Sequence, residues 1–291
     1  MFRMPQLTML IFAAVIYVAD SSTIHADPLP MRVMTFNIRY NNPGDGENAW
    51  PHRRDMAASM IRFHRADVIG LQEALKEQID DLAERLPEYS WFGVGREDGA
   101  EAGEFSPVFY RTDRLELEKH ETFWLSETPG KPSVGWDAAL ERIVTWGRFR
   151  DRKNGTVFYL FNTHFDHRGE IARRESAALL KKHVAGIAGS FPVLVTGDFN
   201  AKPGSEPITV ITTGNDPLTD TASVSHYGHH GPSGTWSGFT SPGSPGDLPI
   251  DFIFMRNNVD VLLHGTLSDT FDGRFPSDHM PVLIEIMLPE E

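Results

Sequence analysis

The sequence contains no cysteine among its 291 residues. Disulfide bonds are therefore excluded, and the fold has to be stabilised by its core and by any metal that it binds. Because thiolate ligands are absent, structural zinc sites that depend on cysteine are excluded as well.

Long apolar runs are also lacking. The N-terminal run at residues 7–18 has about a dozen residues, which is short of the roughly 20 that a membrane span needs. Arg3 precedes this run and Ala26 follows it, which is the layout of a secretory signal peptide. We therefore expect a signal peptide at residues 1–26 and a single domain at residues 27–291, without a transmembrane anchor after cleavage. The expected location is secreted or periplasmic, with attachment to the bacterial cell envelope left open.

Basic side chains are outnumbered, at 27 against 40 acidic ones, and the formal net charge is −13. A surface of this sign repels polyanions, whereas proteins that hold long nucleic acids carry a basic face. We therefore expect no stable complex with duplex DNA, and we expect a monomer. The basic pairs Arg173-Arg174 and Lys181-Lys182 lie on a predicted helix, where a solvated face explains them.

Apolar patterns predict an α/β chain. A strand at residues 32–38 and a loop at 41–46 precede a helix at 51–66, a strand at 67–71 and a helix at 75–86. Four strands without intervening helices follow, which implies antiparallel pairing, and a Gly- and Pro-rich segment at 225–248 is expected to be a loop at the rim of a site. The remaining predicted elements are strands at 89–95, 105–110, 115–125, 143–150, 157–164, 193–197, 250–255, 259–267 and 281–287 and a helix at 170–188.

Polar groups follow several of these strands. The tetrapeptide Gly197-Asp198-Phe199-Asn200 ends a buried strand, and alternation places Asp198 and Asn200 on one side and Phe199 in the core. By itself this is an ordinary strand end followed by a turn. Similar groups at four other strand ends indicate one pocket instead, and these are Asn37, Glu73, His164 and the pair Asp278-His279.

The groups at these strand ends suit the hydrolysis of a phosphate ester. Glu73 offers a carboxylate to a hard divalent cation, and Asn37 and Asp278 offer further oxygens. Mg²⁺ or Mn²⁺ is favoured over zinc by such a donor set. Each residue also has an ordinary structural interpretation, since a lone Glu73 can be a helix cap and Asp278-His279 can be a turn.

Two imidazoles and an Asp-Phe-Asn unit supply the remaining chemistry. Asp198 is the candidate base for water and Asn200 the group that orients it, while His164 and His279 are placed to clamp the phosphate. An imidazole that acts as a cation near neutral pH needs a carboxylate neighbour. Asp251 is the expected partner of His279, and Glu104 is a weaker candidate partner of His164.

Other polar side chains near these motifs stay open to two interpretations. Asp166-His167 supports the site or belongs to a solvated loop, and Trp236 lines a substrate pocket or pins its loop. His226, His229 and His230 resemble a metal cluster, but a Gly-rich loop favours exposed, unliganded histidines.

The ordered set of motifs closely resembles the endonuclease/exonuclease/phosphatase superfamily, which includes pancreatic deoxyribonuclease, abasic-site endonucleases, neutral sphingomyelinases and inositol polyphosphate 5-phosphatases. The resemblance covers about Met31 to Leu288. It implies a four-layer α/β/β/α sandwich with two mixed sheets, a class that some schemes call α+β. It implies metal binding by Glu73 and Asn37 with Asp278, a water-activating Asp198, phosphate contacts by Asn200 and His164, and the pair Asp251 and His279.

Three further stretches resemble a group of secreted bacterial members with poorly defined substrates: Trp124-Leu-Ser-Glu-Thr-Pro129, Gly135-Trp-Asp137 and Thr163-His-Phe-Asp-His167. One position departs from the abasic-site endonucleases, which carry an acid where this chain has Arg39. An arginine there weakens a cation site and is suited to grip a phosphate or a carboxylate. Abasic DNA is therefore not the expected substrate.

The expected function is that of an exported, divalent-metal-dependent phosphoesterase that cuts phosphodiesters rather than monoesters by in-line attack of water. A small or lipid-like phosphodiester or a phosphorylated sugar fits the acidic surface. Three alternatives stay open: a non-specific nuclease on short or single-stranded nucleic acid, an inactive binding module of the same fold, and a metal hydrolase acting on glycosides or esters.

Overall fold

A computed structural model of the chain describes residues 1–2, 30–240 and 247–289. The expected signal peptide at residues 1–26 therefore lies almost entirely outside the described residues, as does part of the expected rim loop. Among the helices of the described residues, none has both the length and the apolar character that crossing a bilayer requires.

The described strands form two mixed sheets. In spatial order, the first sheet contains β10 (His229–His230), β12 (Asp260–Thr266), β13 (Val282–Met287), β1 (Met31–Asn37), β2 (Val68–Gln72), β4 (Val108–Arg111) and β3 (Tyr89–Phe92). The second contains β5 (Leu115–Trp124), β6 (Ile143–Asp151), β7 (Val157–His164), β8 (Val193–Asp198), β11 (Asp251–Arg256) and β9 (Thr219–Asp220). β1 pairs in parallel with β2, and β7 with β8.

Four helices cover the outer faces of the sheets. The first sheet packs against α1 (Arg54–His64) and α2 (Lys76–Arg85), and the second packs against α3 (Glu170–Ala188) and α4 (Glu206–Thr212). A third apolar cluster fills the space between the two sheets. The result is the expected four-layer α/β/β/α sandwich.

Strand β1 shows how the sequence divides between these layers. Successive side chains of a strand point to opposite faces. Val33 accordingly packs between the sheets, whereas Met34 and Phe36 pack against the helices. The sheets approach closely at Gly70 in β2, where a Cβ atom would collide with Oγ1 of Thr196. Glycine is therefore required at this crossing.

Most predicted elements are confirmed within one to three residues, and the helix at 170–188 and the strand at 157–164 agree at both ends. The predicted helix at 51–66 is divided instead. A 3₁₀ turn at Trp50–His52 precedes α1, and Arg53, which has a φ of −115° and a buried guanidinium, lies between the two elements. The helix then ends at Arg65, whose φ of 53° is left-handed.

Helix α4 was not predicted from the sequence. Its seven residues include Pro207 in the first turn and several β-branched side chains, which favour strands. Ile208 and Ile211 bury against the apolar cluster beneath α3. Tertiary packing therefore stabilises a helix that local propensity does not indicate.

Candidate active site

The polar strand ends meet at one edge of the sandwich. β7 and β8 end side by side with His164 opposite Asp198, and the antiparallel β11 begins there with Asp251 opposite Asp198. A cavity of about 420 Å³ opens at this edge. Nine of the twelve candidate residues line it, which confirms the prediction of a single pocket: Arg39, Glu73, His164, His167, Asp198, Asn200, Trp236, Asp278 and His279.

The other three candidates lie behind the cavity wall. Asn37, Asp166 and Asp251 are each at most 2% exposed. Each is bonded to a side chain that lines the cavity: Asn37 to Glu73 at 3.0 Å, Asp166 to Arg142 at 3.3 Å and Asp251 to His279 at 2.9 Å. These three residues therefore position the groups in front of them.

Asn37 connects two carboxylates of the site. Its Nδ2 donates to Oε1 of Glu73 and to Oδ2 of Asp198, both at 3.0 Å, while its Oδ1 accepts from the backbone N–H of Arg39 at 2.9 Å. Ligation of a cation by Oδ1 would compete with that last hydrogen bond. In this arrangement, Asn37 holds the acidic groups close together.

Glu73 and Asp278 face each other across Arg39. Oε2 of Glu73 and Oδ2 of Asp278 each lie 3.9 Å from a nitrogen of the Arg39 guanidinium. Arg39 also donates through Nε and Nη2 to the two oxygens of Asp45, at 3.0 Å each. The residue that departs from the abasic-site endonucleases thus grips a carboxylate here, one of the two roles expected for it.

A buried arginine that sequence reasoning missed holds two segments of the site together. Nη1 of Arg53 donates to the carbonyl oxygens of Ile38 and Pro276, at 2.7 and 2.8 Å. Burial lowers the pKa of Arg53 to about 10, so that it stays charged at neutral pH. Arg53 thereby fixes the chain after Asn37 against the chain before Asp278. The sequence placed Arg53 within a predicted helix but gave no sign that its side chain is buried at the site.

The donor set fits a hard divalent cation. Glu73, His164 and Asp198 bring ligand atoms within 4.8 Å of one another. Burial raises the pKa of Asp278, and the Glu73 carboxylate raises it further. Carboxylates that repel one another at the edge of a polar cavity are the surroundings in which Mg²⁺ or Mn²⁺ binds, with most other ligands being water or substrate oxygens.

His279 and Asp251 form a buried pair, as expected. Nδ1 of His279 lies 2.9 Å from Oδ2 of Asp251, and that oxygen also accepts a hydrogen bond of 2.6 Å from Thr235. Burial alone would lower the pKa of His279, but the Asp251 carboxylate outweighs it and holds this pKa well above its ordinary value. The imidazole is therefore a cation near neutral pH.

Asp198 is poised to exchange a proton. It is 1% exposed, and its Oδ2 lies 3.5 Å from Nε2 of His164 and 3.8 Å from Nε2 of His279. Burial, reinforced by repulsion from Asp251, raises the pKa of Asp198 to about 7. A carboxyl group with a pKa near the working pH suits general base catalysis.

His164 differs from the expectation. Glu104 does not support it, because that carboxylate forms a two-bond pair with Arg96 at 2.7 and 3.0 Å. Burial lowers the pKa of His164 well below its ordinary value, and the nearby Arg142 lowers it further. Nε2 of His164 accepts from Nδ2 of Asn200 at 3.0 Å. His164 is therefore a neutral imidazole with its proton on Nδ1.

Asn200 reaches the cavity by a different route from simple strand alternation. Strand β8 ends at Asp198, Phe199 is fully buried, and Asn200 adopts a left-handed φ of 46°. Its backbone N–H donates to Oδ1 of Asp198 at 2.9 Å. This local turn, which Asn tolerates well, presents both side chains to the same cavity.

Arg142 is a further cavity residue that the sequence did not reveal. It precedes β6 and its side chain is 4% exposed. Nη2 lies 2.9 Å from Nδ1 of His167. Asp166, the other member of the Asp166-His167 pair, accepts from the backbone N–H groups of Arg168 and Gly169 before α3, which bring its pKa to about 2 despite burial. Asp166 and His167 thus support Arg142.

The Gly-rich loop contributes Trp236 to the cavity. This side chain is 57% exposed, and its backbone pairs with that of His279. The loop histidines lie elsewhere: Nδ1 of His229 is 3.0 Å from Nδ1 of His264, and His226 pairs with Asp260. Among the described residues, these histidines do not join a cluster of three metal-ligating side chains.

Comparison with known proteins agrees with this architecture. The sequence model of the Endonuclease/Exonuclease/phosphatase family matches residues 34–279. A solved structure from this family in Bacteroides vulgatus is 40% identical and superposes with a TM-score of 0.86, covering 89% of this chain and 99% of that one. A mannosyl-6-phosphatase from Bacteroides thetaiotaomicron is 35% identical with a TM-score of 0.81, covering 89% and 100%. An uncharacterized protein of Acanthamoeba polyphaga mimivirus is 24% identical, with 87% of this chain and 99% of that protein covered.

Proposed function

The chain belongs to the endonuclease/exonuclease/phosphatase family of phosphate-ester hydrolases, and from this premise we propose that it is a divalent-metal-dependent phosphoesterase acting on a small phosphorylated sugar. The observation that carries the proposal is the meeting of the His279–Asp251 pair, the proton-exchanging Asp198 and two further carboxylates at one cavity. This combination offers a cation, a base and a cation-binding surface to one phosphate.

Glu73 and Asp278 are the residues proposed to hold the divalent cation, with Asn37 placing Glu73. When bound, the cation supplies Lewis-acid stabilisation of the negative charge on the phosphoryl oxygens. Arg39 already lies 3.9 Å from both carboxylates and offsets part of their charge. We therefore expect only moderate cation affinity.

The side chains of the chain have separate roles in this proposal. Asp198 accepts a proton from the attacking water, and the amide of Asn200, bonded to His164, orients the phosphate. The protonated His279 donates to a phosphoryl oxygen, where negative charge accumulates in the transition state. Asp251 keeps that imidazole charged and fixes its orientation.

Three observations support a small sugar phosphate as the substrate. The relative from Bacteroides thetaiotaomicron that is 35% identical is a mannosyl-6-phosphatase. The cavity of about 420 Å³ has room for a small ligand rather than a duplex. Trp236 is 57% exposed at its rim, where an indole can pack against the apolar face of a sugar ring. The net charge of −13 further opposes long polyanions.

A phosphodiester is the second candidate, and it is the one that the sequence favoured. The cavity is open to solvent on the side of Trp236, so a second alcohol on the phosphate can extend outward there. The two candidates differ in the charge of the phosphate, which is a dianion in a monoester and a monoanion in a diester at neutral pH.

The test compares substrates and metals on the same protein. Mannose 6-phosphate, p-nitrophenyl phosphate, bis(p-nitrophenyl) phosphate and single-stranded DNA are incubated with residues 27–291 in Mg²⁺, Mn²⁺ or EDTA. Asp198→Asn is the matched inactive control. Fastest turnover of mannose 6-phosphate, lost in EDTA and in the control, is the expected result. Preferred cleavage of the diester or the DNA would contradict the substrate proposal, and equal rates in EDTA would contradict metal dependence.

Export and oligomeric state belong to the same proposal. We expect residues 1–26 to be removed during export to the periplasm or the medium, and the mature domain to be a monomer. Mass spectrometry of the N-terminus after expression of the full chain in bacteria, with cell fractionation, tests the first point. Light scattering tests the second, and a dimer mass would contradict it.

A further inference from the structure

The strongest unexplained feature of the cavity wall is the guanidinium of Arg142. Nε lies 3.3 Å from Oδ2 of Asp166 and Nη2 lies 2.9 Å from Nδ1 of His167. Nη1 is buried and has no hydrogen-bond partner among the described residues. A buried donor left without a partner destabilises the folded protein, and more so when it is charged. An unpaired donor in the wall of a cavity therefore indicates a ligand that accepts its hydrogen bond.

The charge of Arg142 is retained. Burial lowers its pKa, and the neighbouring Arg96 lowers it further, yet a guanidinium stays protonated at neutral pH. Because arginine can only donate, Nδ1 of His167 has to accept the bond from Nη2. Arg142 therefore brings a positive charge and an unmet donor to a cavity that Glu73 and Asp278 also line.

Arg39, the other arginine of the cavity, differs in this respect. Two of its nitrogens are committed to the carboxylate of Asp45 at 3.0 Å each, and Nη1 lies 3.9 Å from Glu73. Its charge is thus shared among acids on the cation-binding side. Arg142 has one carboxylate neighbour within bonding distance, at the long distance of 3.3 Å.

We propose that Arg142 is the residue that selects phosphate monoesters: its Nη1 donates to a non-bridging phosphoryl oxygen of the substrate in the cavity that Glu73 and Asp278 also line. The inference rests on the proposed phosphoesterase function. A monoester has three non-bridging oxygens and two negative charges, and a diester has two oxygens and one charge. The third oxygen and the second charge are what a planar guanidinium binds well.

Binding requires a small movement of the side chain. Arg142 is 4% exposed although it lines the cavity, so Nη1 reaches a ligand oxygen only when the guanidinium shifts toward the cavity. The 3.3 Å bond to Asp166 is at the long end for an N–H···O bond and is the one that gives way. His167 keeps hold of Nη2 and acts as a positioning residue.

The test uses two substrates with the same leaving group, p-nitrophenyl phosphate and bis(p-nitrophenyl) phosphate. In Arg142→Gln, kcat/KM for the monoester is expected to fall by about 10- to 100-fold, the loss of one charged hydrogen bond, and that for the diester by less than about threefold. The ratio of kcat/KM for the monoester to kcat/KM for the diester in Arg142→Lys should lie between the ratios of Arg142→Gln and the wild type. Arg114→Lys, a buried arginine on Asp151 outside the cavity lining, is the control and should leave the ratio unchanged.

Equal losses on both substrates, or no loss on either, would overturn the proposal. If neither Arg142 variant folds, His167→Leu, a change at an exposed residue, takes their place. It should also lower kcat/KM more for the monoester than for the diester, but by a smaller factor than Arg142→Gln. If the wild type hydrolyses neither of these esters nor mannose 6-phosphate, the phosphoesterase function fails by itself. Calorimetric binding of inorganic phosphate then decides on Arg142: weaker binding by Arg142→Gln than by the wild type supports the anion site, and equal binding overturns it.

Discussion

Nδ1 of His279 lies 2.9 Å from Oδ2 of Asp251, and the opposite ring nitrogen faces Asp198 at 3.8 Å. The imidazole is thus held between two buried carboxylates with its Nδ1–H committed to Asp251. One acid orients and charges the ring, while the other shares the cavity with it. The arrangement makes the protonation of three residues interdependent.

Asp251→Asn should move the alkaline limit of activity to lower pH. The folded-state pKa of His279 is raised, so its charged form, and the stability that this charge contributes, persists above the ordinary value of 6.5 and is lost as pH rises through the folded pKa. Asparagine keeps the shape without the charge. The pH profile of kcat/KM in both proteins measures the shift.

Asp220→Asn is the matched control for that experiment. Asp220 is a half-buried aspartate whose pKa is also raised by burial, and its side chain accepts from the backbone N–H of Ala222. Its variant should keep the wild-type alkaline limit. An unmoved limit in Asp251→Asn would show that the charge of His279 does not govern turnover.

Asp198→Asn should abolish most activity without weakening the fold. Loss of a general base lowers kcat by on the order of 10²–10⁴. The carboxylate is destabilised in the folded state by burial and by Asp251, since its pKa is raised to about 7. The free-energy cost of the ionised Asp198 carboxylate in the folded protein grows as pH rises from about 4 to 7. At pH 8 the variant, which lacks this charge, should therefore melt at the same temperature as the wild type or higher. A large fall in melting temperature would contradict this account.

Arg39→Gln and Glu73→Gln should change cation affinity in opposite directions. The guanidinium lies 3.9 Å from Glu73 and from Asp278 and opposes a cation there. Its removal should tighten Mg²⁺ or Mn²⁺ binding, and removal of the Glu73 charge should weaken it, each by several-fold. Calorimetric titration of the metal into each protein gives the dissociation constants. Changes in the same direction would place the cation elsewhere.

The sequence was informative where local pattern determines structure. The polar residues at five strand ends sufficed to predict the shared pocket, whereas the four-layer sandwich was predicted from the resemblance of the ordered motifs to the family. The partner of His279 was also predictable, because Asp251 begins a strand whose apolar residues require burial. In these cases a short stretch of chain carries its own structural signal.

The sequence was uninformative where burial overrides residue type. Arg53 and Arg142 are charged side chains that a pattern assigns to the surface, yet both are nearly fully buried because the fold brings carbonyl oxygens or acids to them. Glu104 lies close to His164 in the cavity wall but pairs with Arg96, since a bidentate arginine is the stronger partner. Such choices depend on contacts distant in sequence.

His264 should make the protein lose stability in mild acid. Its side chain is buried beside His229, and burial lowers its pKa to about 4. The unfolded chain, with an ordinary value near 6.5, therefore binds more protons between pH 4 and 6.5, so stability is fully present above pH 6.5 and falls as the pH drops. At pH 5 the neutral His264 should lower the free energy of unfolding by about 2 kcal/mol relative to its value above pH 6.5.

The measurement is urea unfolding of the wild type and His264→Phe at pH 8 and pH 5, with EDTA present. Phenylalanine keeps a ring of similar shape but cannot take up a proton, and every other titrating group is common to both proteins. The fall in unfolding free energy from pH 8 to pH 5 should therefore be about 2 kcal/mol smaller in the variant, whatever its stability at pH 8. Equal falls in the two proteins would mean that His264 is protonated as readily in the folded chain as in the unfolded one.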